Sequence, residues 1–159
     1  MKLLKKISLG VVVLFIAAQF YRPAKNIASG PSANDITAHY PTSPDVKQLL
    51  SVACYDCHSN TTHYPWYANI QPVSSWLASH VEDGKKHLNF SEFASYTPKR
   101  AANKLGEVVD EVTDREMPLF SYRLGHADAR LTPAQIKLLT DWAGSVRTHI
   151  MTANGLTED

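Results

Sequence analysis

Three times this chain places a hydroxyl residue before a proline and follows the pair with apolar residues three and four apart. Ser43-Pro44 leads into Val46, Leu49, Leu50 and Ala53. Thr97-Pro98 leads into Ala101, Leu105, Val108 and Val112, and Thr132-Pro133 into Ile136, Leu139, Trp142, Ala143 and Val146. A Ser or Thr at the N-cap accepts from a first-turn amide, and proline at the first helical position gives up only an N–H that has no partner there. Apolar residues at that period then form one stripe to bury. A fourth start, at Pro72, puts Val73, Trp76, Leu77 and Val81 along one face. Alternating strand patterns are absent. These features predict an all-α fold.

The N-terminus has a different build. "MKLLKKISLGVVVLFIAAQFYRP" starts with three lysines and runs from Ile7 to Phe20 without a charge. That is the pattern of a secretory signal or an anchor. The run is somewhat short of the roughly 20 apolar residues of a spanning helix, although snorkelling of Lys5 and Lys6 extends it. "AAQF" makes a poor cleavage site, so an uncleaved N-terminal hydrophobic anchor helix is expected ahead of a cut signal. Either way the lysines stay cytoplasmic and the rest is exported, to the periplasmic side of a bacterial inner membrane. We expect a signal-anchor or signal peptide over residues 1–21, a linker rich in Pro, Gly, Ser and Asn over 22–42, one domain over 43–150 and a tail over 151–159. Without residues 1–22 the chain has 12 Lys and Arg against 15 Asp and Glu. That balance offers no stripe for a polyanion, which sets nucleic acid aside.

Both cysteines of the chain lie in "SVACYDCHSN", as Cys54-x-x-Cys57-His58. A thioredoxin-like redox pair needs a βαβ neighbourhood, which the helical pattern denies. Structural zinc takes four ligands, of which two thiolates supply half; His58, His63, His80 and His87 would have to complete it. A disulfide across two residues is strained and reactive. Covalent attachment of haem c accounts for the whole string, with two thiols for the vinyl groups and His58 placed as the proximal iron ligand. It also agrees with export.

The sixth iron position decides what such a haem does. Met117 follows a helix, sits in a loop and is stiffened by Pro118. It is the expected axial ligand, so the metal ligands read from the sequence are His58 and Met117, and the cofactor-binding residues are Cys54, Cys57, His58 and Met117. Core filling is the competing role of a methionine. His126 is the rival in the same loop, His63 and His87 serve a bis-histidine alternative, and His80 reads as a core histidine. His39, His149 and Met151 receive no role. Trp66, Tyr67, Trp76, Phe90 and Phe93 are candidate pocket walls or plain core. Arg115, Arg123, Arg130 and Tyr122 flank the Met117 loop as candidate propionate partners or surface groups.

The order helix, C-x-x-C-H, helices, Met-Pro loop and final Leu-Thr-Pro helix resembles that of small monohaem cytochromes c. More closely, "CYDCHSN", "YPWYANIQPVSSWL", "GKKHLNFSEF" and "MPLFSYRLGHADARLT" look like the haem-binding domain family of small exported bacterial proteins. The resemblance spans about residues 45 to 147, and the leader ending "QFYRP" is similar too. It implies one covalent haem in a cytochrome c-like, mostly helical domain outside the cytoplasm. The family pattern often has His-Pro-Asp where this chain has His126-Ala127-Asp128, which loosens that loop.

With His58 and Met117 both on the iron, the expected function is one-electron transfer between redox protein partners in the periplasm, without bond chemistry of its own. The alternative is a gas sensor or peroxidase-like enzyme with an open or displaceable sixth position. Peroxidase chemistry needs a distal acid–base group, for which His126 is the candidate.

Overall fold

The computed structural model describes residues 2–157. Its elements are the helices α1 Lys2–Ala18, α2 Ile36–His39, α3 Pro44–Ala53, α4 Tyr55–His58, α5 Val73–His87, α6 Pro98–Thr113, α7 Phe120–Gly125 and α8 Pro133–Ala153. Three short 3-10 helices, Trp66–Asn69, Phe90–Ser95 and Ala127–Ala129, lie between them. Among the described residues there is no strand, only an isolated bridge between Ile27 and Thr61. The fold is all-α.

The hydroxyl–proline starts are helix N-termini. Ser43, Thr97 and Thr132 accept from the amides of Val46, Arg100 and Gln135, and Gln135 Oε1 accepts in return from the Thr132 N–H, closing a capping box. α6 and α8 pack along each other and α3 crosses onto α8. Leu50, Leu105 and Leu139 are fully buried between them, each contributing roughly 1.5–3 kcal/mol by leaving water. Trp142 joins this core and donates its indole N–H to the Pro41 carbonyl at 3.2 Å.

Two stretches differ from the sequence reading. Within residues 22–42, read as linker, Asp35 caps α2 and Ile36 is fully buried in the core. On α5 only Val81 of the expected stripe is buried, and Trp76 is 46% exposed; the residues this helix gives to the cleft are His80, Asp83, Gly84 and His87 instead. At the other end, α8 continues past residue 150 to Ala153.

α1 is exposed along its length. Among the described residues no helix is long and apolar enough to cross a membrane. Gln19 closes a two-way bond with the Gln71 backbone, and Gln71 Nε2 donates to the Tyr21 carbonyl. These bonds fix the end of α1 to the turn before α5.

Candidate haem site

α3 ends at Ala53, and the backbone kinks at Cys54 before a single further helical turn, α4. The amides of Cys57 and His58 both donate to the Cys54 carbonyl, at 3.2 and 2.9 Å. One turn therefore carries both thiols and the imidazole, and all three line the same cleft of about 390 Å³. That volume lies in the usual range of cofactor pockets, about 300–1,000 Å³. Ala53, Leu88, Phe90, Val108, Val112 and Leu119 give it apolar walls. Met117 and Pro118 line it as well, 59 residues further along the chain than His58.

His58 is held for one task. Its Nδ1 lies 2.9 Å from the Leu88 carbonyl. A carbonyl only accepts, so Nδ1 carries the proton and Nε2 keeps its lone pair, the arrangement of a metal-ligating imidazole. Burial lowers the His58 pKa, with partial compensation by the Leu88 and Gly84 carbonyls.

The thiols have the opposite character to a redox pair. Burial, with the Cys57 charge second, pushes Cys54 up to about 12, and burial with the Asp56 charge pushes Cys57 up to about 11. Reactive C-x-x-C pairs have depressed values. Among the described residues no three His, Cys, Asp or Glu side chains converge as a metal set.

α5 approaches α4 closely at Gly84, where an added Cβ would stand 2.6 Å from the Cys57 carbonyl oxygen. His80, Asp83, Gly84 and His87 share the cleft-facing side of α5. The two histidines thus belong to the wall that carries Cys57 and His58. Met117 comes from the other contributor, the end of α6. There Arg115 takes a left-handed conformation (φ 62°), and the amides of Arg115 and Met117 donate to Val112 and Glu111. These bonds close α6 and fix the Met117 backbone.

Asp56, between the two cysteines, is buried and accepts from the Tyr122 hydroxyl at 2.7 Å and the His63 amide at 2.9 Å. Tyr122 also lines the cleft and stacks on His126 at 3.9 Å. Neither His126 nor His63 lines the cleft; His63 leans on Asp56 with its side chain 80% exposed. His39 bonds the Ala33 carbonyl and His149 packs edge-on to Tyr40. Of the candidate walls, only Phe90 faces the cleft: Phe93 is buried in the core, Trp66 is 76% exposed, and Tyr67 and Trp76 lie outside the lining. Arg115, Arg123 and Arg130 do not line it; Arg123 and Arg130 bond backbone carbonyls of their own loop. The charged residues at the cleft are Asp56, Asp83, Lys104, Glu107 and Glu111. Sequence reasoning missed all five, although Lys104, Glu107, Val108, Glu111 and Val112 follow helical spacing along one face of α6.

Two thiols, an imidazole with its Nε2 lone pair and a thioether sulfur around an apolar cleft fit a haem held through C-x-x-C-H. No curated protein and no solved structure matches the chain. Residues 13–145, most of the chain and all of the cleft, match the haem-binding domain family. The chain is a member of the haem-binding domain family.

Proposed function

We propose that this protein is an exported, membrane-tethered monohaem c-type cytochrome that carries single electrons. The observation that supports this most is the gathering of Cys54, Cys57, His58 and Met117 around one apolar cleft. Bound there, a haem supplies a one-electron iron couple. Cys54 and Cys57 would hold it as thioethers, each S–H adding across a vinyl C=C with no net oxidation. His58 offers Nε2 because Leu88 occupies Nδ1. Met117 offers its sulfur from a turn tied to Glu111 and followed by Pro118. Methionine in that position favours the ferrous state relative to histidine. If His58 and Met117 both held the iron, one-electron transfer would be the chemistry supplied, and the apolar walls would limit the access of water to the site. His126, the one candidate for a peroxidase base, is stacked on Tyr122 outside the lining. Export and tethering rest on the lysine-headed apolar segment that forms α1.

The test is the absorption spectrum of the reduced full chain with and without CO, after co-expression with haem c maturation machinery. An unchanged Soret band supports two protein ligands; a shifted band refutes a filled sixth site and favours the gas-binding reading. Met117→Ala is expected to open that site to CO and lower the potential, and an unchanged spectrum would remove Met117. Cys54→Ala with Cys57→Ala should release haem on denaturation; retention of haem would sink the covalent reading.

A further inference from the structure

The negative charge of this chain is unevenly placed. Residues 2–34 and 57–81 contain no Asp or Glu, whereas residues 107–116 alone carry Glu107, Asp110, Glu111, Asp114 and Glu116. The two acid-free stretches are bound to each other in the fold. Gln19 and Tyr21 bond Gln71, Arg22 donates to the Asn69 carbonyl, and residues 26–28 pair with 60–62. Around these bonds the surface is aromatic and exposed: Phe20 at 85%, Tyr21 at 65%, Trp66 at 76% and Trp76 at 46%. Arg22 and Lys25 add the positive charge, with Lys25 lying over the Tyr64 ring.

We infer that this face, formed by residues 19–25 and 64–76, lies in the headgroup layer of an anionic lipid bilayer and fixes the orientation of the haem domain on it. The inference rests on the proposed membrane tether and goes beyond it, because a tether alone leaves the domain free to turn. Trp and Tyr favour the membrane interface, where an apolar ring and a polar edge are both satisfied. Basic residues beside them add attraction to anionic lipid. The acidic end of α6 is repelled by the same surface, so the charge distribution selects one orientation. His80 packs its ring at a tilt against Trp76, centroids 4.3 Å apart, and lines the cleft. Docking this face therefore turns the α5 side of the cleft, at His80, towards the membrane and the acidic α6 wall away from it, which points to a redox partner at the membrane.

The experiment uses the haem-loaded full chain in vesicles of equal parts phosphatidylethanolamine and phosphatidylglycerol, doped with a phospholipid carrying a photoactivatable headgroup. Flotation reports the tether, and mass spectrometry of adducts reports the face. We expect flotation with adducts in residues 64–78 and few in residues 98–150. Lys25→Gln should lower the ratio of docked to undocked domain about fivefold, and Trp66→Ser, at an exposed position, should lower it without touching the core. Adducts confined to residues 2–21 in a floating chain would overturn the docked face and leave the tether standing. Equal labelling of residues 64–78 in phosphatidylcholine vesicles would overturn recognition of anionic lipid. Failure to float would overturn the tether and this inference together.

Discussion

Replacing Gly84 by alanine should both destabilise the protein and loosen its haem ligand. The new Cβ would stand 2.6 Å from the Cys57 carbonyl oxygen and 3.1 Å from the Cys57 Cβ, against the 3.4 Å at which ordinary contact begins. The closest obstacle is backbone of α4, so α5 has to retreat by about 0.8 Å, a shift of the kind that overpacking forces. Leu88 caps the end of α5 and moves with it. The 2.9 Å bond from His58 Nδ1 to Leu88 then stretches towards the limit of hydrogen bonding. Overpacking costs about 1–3 kcal/mol and the weakened bond about 1; alanine in a helix returns about 0.5–1. The net loss is about 1–3.5 kcal/mol, or roughly 2–14 °C in Tm for a chain of this size. Gly144 on α8 has nothing within 4 Å of its Cβ position. Gly144→Ala should therefore raise Tm by about 1–4 °C. Thermal unfolding followed by circular dichroism, with haem content per chain, reads both effects. A Gly84→Ala protein with full haem and a Tm at or above wild type would refute the close-packing argument.

Leu105→Ala should cost about 2–5 kcal/mol, because Leu105 is fully buried between α6 and its neighbours; denaturant unfolding measures it. Tyr122→Phe removes the hydroxyl that bonds the buried Asp56 carboxylate and should cost about 1.5–3 kcal/mol, while a loss within ±0.5 would mean that the bond is not needed. Glu92 accepts from Asn34, Asn60 and Ser32, and the Asn34 and Asn60 bonds hold its pKa below the ordinary value near 4.5. The stabilisation is present above that unfolded-state value and is lost as pH falls through the lower folded one. Glu92→Gln should thus destabilise by about 1 kcal/mol at pH 7, discounted for solvent screening. The wild-type advantage should shrink in acid below the unfolded value; an advantage constant with pH would show that it does not come from the carboxylate charge.

What could be read locally was readable in the sequence. A helix start depends on a hydroxyl, a proline and the next few residues, so α3, α6 and α8 begin at Pro44, Pro98 and Pro133 as expected. Burial of Leu50, Leu105 and Leu139 follows from a stripe of fixed period. The resemblance to the haem-binding domain family, carried by stretches such as "CYDCHSN" and "MPLFSYRLGHADARLT", was likewise legible before any fold was known, and the family match bears it out. Every decision that needed distant residues belonged to the tertiary structure. Only the tertiary structure brings Met117 to the cleft with His58 and leaves His126 outside it, stacked on Tyr122 and bonded to its carbonyl. Phe90 and Phe93 are three residues apart with like side chains and are both buried in the core, yet only Phe90 also reaches the cleft. Apolar character says that a ring avoids water; it does not say whether protein or cofactor will cover it. That choice is made by which helices meet.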